Sequence, residues 1–351
     1  MKILPNNSSL IYSGRIDLSD PFAIVWTYPG TFVRMKFKGT QLFIHVRNKH
    51  NYWNNYLGVA EGDAQTKLLL PEEGEATIEI PLQTTQDNIH EVTIFKRQDA
   101  CHELTILGFE INCNTDDECE LLEASPLPPR RIEVYGDSVS AGEVSEAVDY
   151  VAKADPEHNG EYSNSWYSYA WIAARKLDAQ LHDIAQGGVA LLDNTGWYHE
   201  PDYIGMEQVW NKMRYNPDYG TVKEWDFSKY TPDIVIVAIG QNDSHPDDYM
   251  KTDYEGDKAK NWRTHYRQFL AKLRETYPDA WIICCTTLLQ HDIGWDMSIS
   301  QAVLDIADKK ISHCVFQRNG KATPGHLRIP EAEEMAEELC HYIHSLNIEG
   351  Y

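Results

Sequence analysis

Over its first 120 residues the chain alternates apolar and polar positions. Val33, Met35 and Phe37 are separated by Arg34 and Lys36, and Leu42, Ile44 and Val46 by Phe43 and His45. Ile78 and Ile80, Val92 and Ile94, then Leu104 and Ile106 keep the same period of two. Successive side chains of a strand point to opposite faces, so this pattern predicts short strands with one buried face. Pro29-Gly30, Lys38-Gly39, Glu73-Gly74 and Asn88 break the runs as turns would. The expected architecture is an antiparallel β-sandwich or jelly roll. An acidic stretch, 114–120, and the Pro-rich segment from Ser125 to Arg130 read as its boundary.

Beyond Arg130 the pattern changes. Strands are expected at 131–135, 180–185, 233–239 and 281–287, the last two as nearly continuous apolar runs of the kind covered on both faces. Helices are expected at 165–177, 263–277 and 330–346. In the last, Pro330 sits in the first turn, and Met335, Leu339, Tyr342, Ile343 and Leu346 form the buried stripe. Alternating strands and helices build a parallel sheet layered by helices, whose chemistry sits where strands end and helices begin. The expected organisation is a sandwich over 1–124, a linker over 125–130 and a three-layer α/β domain over 131–351.

Charge then excludes partners. Fifty-four acidic residues against 31 basic ones leave a net charge of −23, which disfavours nucleic acid and anionic membranes alike. No apolar run is long enough to span a bilayer. The opening MKILPNNSSL lacks the apolar core of a signal peptide. With seven unevenly spaced cysteines, this leads to an expectation of free thiols and a cytoplasmic location.

Four segments carry candidate chemistry. Gly136-Asp137-Ser138 falls at a strand-to-helix turn, where Ser138 would meet free backbone N–H groups, although an Asp-Ser helix cap has the same look. Gly187-Gly188 follows the second strand. Gly240-Gln241-Asn242-Asp243 follows the third, and the Asn242 amide can donate to an oxyanion or make a simple turn. His326, in Thr323-Pro-Gly-His326, is placed four residues before the last helix and is a candidate base.

In this order the four segments resemble the blocks of the SGNH (GDSL-type) hydrolases. The resemblance implies a flavodoxin-like fold, Ser138 as nucleophile and His326 as base. It implies an oxyanion hole from Ser138, Gly188 and Asn242, with Gly187 the alternative glycine and Asp137 shaping the turn. The N-terminal half extends the likeness. The strings from Tyr12 to Asp17 (YSGRID), Trp26 to Gly30 (WTYPG), Phe37 to Thr40 (FKGT) and Trp225 to Ser228 (WDFS) are similar to carbohydrate esterase family 2. That implies removal of acetyl groups from xylo- and manno-oligosaccharides by an acyl-serine mechanism, with no metal or cofactor. An Asp usually stands three residues before the SGNH histidine, and here that place is Thr323. The expectation is therefore a Ser–His dyad, its free ring nitrogen held by a backbone carbonyl or another acid.

Weaker candidates surround these. His245 is a rival base, but it follows the Asn242 block too closely. Trp295 is expected in a crevice loop, as a substrate-binding aromatic. Trp197, Tyr198, Tyr203, Trp210 and Tyr215 crowd the segment 189–230 and read as core or subunit interface ahead of sugar contact, which also admits a homo-oligomer. Asp253 to Asp257 lacks calcium-loop spacing, and Cys284-Cys285 reads as core. The competing functions are an esterase or thioesterase acting on lipid or other acyl groups, and a carbohydrate-binding protein without turnover.

Overall fold

A computed structural model describes residues 1–85, 87–114 and 119–351. The N-terminal domain is two antiparallel sheets. One runs Ile16–Asp17, Ile24–Trp26, Glu103–Asn112, Gln41–Lys49, Glu73–Ile80, with Lys2–Ile3 added beside Glu103–Asn112. The other runs Glu120–Leu122, Phe32–Lys38, Ile89–Lys96, Tyr56–Glu61, Ala64–Leu69, with Ile11–Ser13 against Phe32–Lys38. The alternation is the cause of the packing. Val33, Met35 and Phe37 from one sheet meet Leu42, Ile44 and Val46 from the other in a single fully buried core. The boundary expected at 114–120 lies partly outside the described residues.

The second domain is a five-stranded parallel sheet in the order Ala179–Ala185, Arg130–Gly136, Ile234–Ala238, Trp281–Cys285, Ile311–His313. Helices Tyr169–Lys176 and Ile329–Ser345 cover one face, and Asp257–Thr276 and Ile293–Ile306 the other. The strand order reverses between Arg130–Gly136 and Ile234–Ala238. In a doubly wound sheet the crevice outside that switch is where ligands bind.

Three expectations change. The helix expected over 165–177 is split: Ser165–Tyr167 is a single 3-10 turn, and the Ser168 hydroxyl, accepting from Trp171 N–H at 3.2 Å, caps the α-helix that starts at Tyr169. The segment around Trp295, expected as a loop, is the first turn of the helix Ile293–Ile306, capped by Asp292, which accepts from Gly294 N–H at 2.8 Å. Cys113 and Cys119 form a disulfide with their Cα atoms 5.6 Å apart, because the strands they flank, Glu103–Asn112 and Glu120–Leu122, return to the same sandwich. The other five cysteines are buried free thiols. The thiol count therefore gives no support to a reducing compartment.

One buried cluster joins the domains. Arg15, on the sandwich side, pairs with Glu133 in the parallel strand Arg130–Gly136 at 3.0 Å, both side chains fully buried. It also donates to Tyr135 Oη at 2.7 Å, and Tyr277 Oη donates to Glu133 at 2.8 Å. The Arg15 guanidinium lies over the Trp225 and Phe227 rings, 5.6 and 5.2 Å from their centroids. The YSGRID and WDFS strings thus meet in this joint, away from the strand ends.

Candidate active site

Ser138 is placed by the strand that precedes it. The Arg130–Gly136 strand ends at Gly136, where a Cβ would collide with the Ser140 side chain, 2.1 Å from its Oγ. Asp137 then caps the four-residue helix Ser138–Ala141, its carboxylate accepting from Val139 N–H at 3.0 Å. The cap reading and the nucleophile reading are thus compatible: Asp137 caps, and Ser138 stands at the first helical position.

The next two parallel strands bring up the other blocks. Asp137 accepts from Gln241 Nε2 at 2.9 Å and from Asn242 Nδ2 at 3.3 Å, so the first block is tied to the third. Asp243 ties the third to the second, its carboxyl accepting from Leu191 N–H at 2.8 Å and Leu192 N–H at 3.1 Å. Burial pushes Asp137 up to about 6 and Asp243 up to about 7, partly offset by these donors. The two glycines behave differently. Gly187 N–H donates to Asp99 Oδ2 at 2.7 Å. Gly188, at φ 74°, has no acceptor for its N–H among the described residues, nor has Ser138. Gly188 is therefore the glycine free to donate. Asn242 Nδ2 donates to Val189 O at 3.0 Å, so its longer bond to Asp137 is the one an incoming oxyanion can replace.

His326 Nε2 accepts from Ser138 Oγ–H at 2.8 Å. Its Nδ1 donates to Asp155 Oδ2 at 2.6 Å. A carboxylate only accepts, so Asp155 fixes the tautomer that leaves Nε2 basic. The second oxygen of Asp155 accepts from His326 N–H and from the buried Arg328 guanidinium, both at 2.9 Å. Burial alone would raise Asp155, but the bond from His326 and the charges of His326 and Arg328 hold it well below the usual carboxylate range. Burial would likewise lower His326, yet Glu143 and Asp155 push it up to about 9.

The expected dyad is thus corrected to a chain of three side chains, with another acid on the second ring nitrogen. Thr323 makes no hydrogen bond to the ring. It is buried, and its Oγ1 accepts from Gly325 N–H at 3.3 Å, shaping the turn before His326. Asp155 enters from the loop between Ala147 and Ser163, which carries no motif. One signal was present: Gly325 directly before His326. A Cβ there would sit 2.5 Å from Asp155 Oδ1 and 2.7 Å from Lys153 O, so only glycine lets the loop approach.

A pocket of about 480 Å³ opens over this chain, lined by Ser138, Gly188, Asn242 and His326, by Tyr52, Trp53 and Asp99 of the sandwich, and by Trp197 and Tyr198. Trp295 is not among the lining residues. It is fully buried against Tyr249 and Trp262, with its Nε1 donating to Asp248 at 3.1 Å, because the helix around it turns the ring into the core. Of the aromatics in 189–230, Tyr198 and Tyr215 are buried as expected. Trp197 is 59% exposed, at the pocket, with its ring stacked on His245. His245 donates to or accepts from neither Ser138 nor His326; its Nδ1 lies 2.7 Å from Gly196 O.

Such blocks at the switch point of a doubly wound sheet define the SGNH class of hydrolase folds. A family model described as carbohydrate esterase 2 N-terminal matches residues 12–117. Over 345 residues, 95% of the chain, the sequence is 28% identical to the cellulase/esterase CelE of Acetivibrio thermocellus. Over 164 residues, 47% of the chain, it is 34% identical to an acetylxylan esterase / glucomannan deacetylase of Cellvibrio japonicus. The matches span 39% and 41% of those proteins' own lengths. A family two carbohydrate esterase from Clostridium thermocellum, solved with cellohexaose, superposes with a TM-score of 0.79 at 26% identity, covering 96% of this chain and 98% of that one. A family two esterase from Cellvibrio japonicus superposes with a TM-score of 0.81 at 22% identity, covering 99% and 97%. Residues 12–117 thus match the N-terminal domain model of carbohydrate esterase 2, and the whole chain has the fold of the family two esterases.

Proposed function

We propose that this protein is a carbohydrate O-acetylesterase that removes acetyl groups from hemicellulose-derived xylo- and manno-oligosaccharides. The observation that carries the reading is the Ser138–His326–Asp155 chain, with bonds of 2.8 and 2.6 Å, at the floor of an aromatic-walled pocket. The names of the relatives support acetylated sugars as the substrate class.

Each group then has a step. Ser138 Oγ attacks the acetyl carbonyl carbon as its proton passes to His326 Nε2. The oxyanion that forms takes hydrogen bonds from the N–H groups of Ser138 and Gly188 and from the Asn242 amide. Collapse of the tetrahedral species breaks the bond to the sugar oxygen, which leaves with the proton from Nε2. Water then attacks the acetyl-serine, gives its proton to Nε2, and acetate departs as Ser138 recovers that proton. Asp155 keeps the ring in place and stabilises the imidazolium that each half-reaction forms. The test is acetate release from acetylated xylo- and manno-oligosaccharides. Wild type releases acetate and Ser138→Ala does not. Equal release by both proteins would remove the acyl-serine mechanism.

A further inference from the structure

Glu143 takes no part in the acyl transfer, yet it lines the same pocket. Its N–H donates to Ser138 O at 2.9 Å, just past the turn that carries the nucleophile. Its Oε2 lies 3.9 Å from His326 Nε2, and its side chain is only 11% exposed. Among the described residues its carboxyl makes no hydrogen bond. Asp99 of the sandwich stands close by: a Cβ on Gly187 would be 2.6 Å from Asp99 Oδ2 and 3.0 Å from Glu143 Oε2. Asp99 has no capacity to spare. It accepts from Gly187 N–H at 2.7 Å, Gln186 Nε2 at 2.8 Å, Cys101 Sγ at 2.7 Å and Cys101 N–H at 3.3 Å. The carboxyl with unused hydrogen-bonding capacity is Glu143.

Its position says what it faces. His326 Nε2 delivers the proton to the departing oxygen, so a group within 4 Å of Nε2 stands beside the alcohol half of the ester. The oxyanion donors on Gly188 and Asn242 come from the neighbouring strands and face the acetyl half. A carboxyl that lines the open pocket without a hydrogen-bond partner among the described residues is free to take one from a ligand, and the alcohol half of a sugar ester offers a hydroxyl to pair with it.

We propose that Glu143 reads the alcohol half of the substrate, its carboxyl hydrogen-bonding the ring hydroxyl next to the acetylated oxygen. The proposal rests on the acetylated-sugar reading of the site. Burial pushes Glu143 up to about 7, with His326 opposing and Asp99, Asp155 and Asp137 adding to the rise, so near neutral pH the group can donate as well as accept.

The experiment compares kcat/KM for two esters, a monoacetylated xylobiose and its counterpart with the neighbouring hydroxyl replaced by hydrogen, in wild type and Glu143→Leu. Loss of the hydroxyl is expected to slow wild type about tenfold or more and the variant about twofold or less, since a site built to pair a hydroxyl rejects the analogue lacking it. Equal factors in both proteins would overturn the proposal. So would a wild type indifferent to the hydroxyl, a result that needs no variant; should Glu143→Leu not fold, Glu143→Ala takes its place. A wild type that cleaves 4-nitrophenyl acetate but neither sugar ester would show that the sugar reading itself had failed, and the proposal would fall with it.

Discussion

His326 works only while its ring is held from behind and neutral in front. Asp155 does the holding through both oxygens, one on Nδ1 and one shared by the His326 N–H and Arg328. Asp155→Asn can present a donor to Nδ1 and trap the wrong tautomer, so kcat/KM should fall about a hundredfold or more. Thr323→Ala, which removes only a turn contact, should stay within about threefold of wild type in the same assay. Equal losses would return Thr323 to the site. The pH profile follows from Glu143. Its carboxylate favours the imidazolium, and the imidazolium cannot take the Ser138 proton. Raising His326 therefore moves the acid limb of kcat/KM to higher pH, and Glu143→Gln should move that limb to lower pH. A limb that stays in place or rises would contradict this coupling between the two side chains. Ser138, Gly188 and Asn242 were legible in the sequence because each follows a strand in a recognisable block, and His326 because it stands just before the last helix. Asp155 and Glu143 were not, because an acid in an unpatterned loop or one turn past the serine looks like any surface acid among 54 acidic residues.

Among the elements, the strands were legible wherever a period of two or a continuous apolar run marked them. The central run Ile234–Ala238 is fully buried, as its composition demands. The helix Ile293–Ile306 was missed because its first turn, Ile293-Gly-Trp-Asp296, combines an exposed isoleucine with a glycine, and its Asp292 cap reads equally well as a loop acid. That miss also misplaced Trp295. Its indole fills the space between Tyr249, Trp262 and the sheet, so Trp295→Ala should destabilise the fold by about 3–5 kcal/mol, measured by denaturant titration. A variant of unchanged stability with a raised KM for oligosaccharides would restore the substrate-binding role. Trp197 was hidden for another reason: it stands exposed at the pocket, stacked on His245, in a contact between two loops that nothing in the sequence links.

Across the whole molecule the two domains act as one site. The sandwich supplies Tyr52, Trp53 and Asp99 to the pocket wall, and Arg15 anchors it on Glu133 at the heart of the parallel sheet. An unpaired buried charge is expensive, so each partner of that pair requires the other. The passage from antiparallel sheets to a parallel sheet was legible from the change of hydrophobic period near Arg130. The joint was not, because Arg15 and Glu133 are 118 residues apart and only the fold brings them together. The Cys113–Cys119 pair, only 6 residues apart, was passed over because the seven cysteines are unevenly spaced along the chain. The proposed reaction stands or falls on transfer of an acetyl group from an oligosaccharide to Ser138. Rapid acid quench during turnover of an acetylated xylo-oligosaccharide, followed by peptide mass spectrometry, detects that transfer. One acetyl group is expected on the peptide carrying Ser138, and none in Ser138→Ala. Acetate release during turnover, with that peptide never acetylated, would contradict the acyl-serine mechanism.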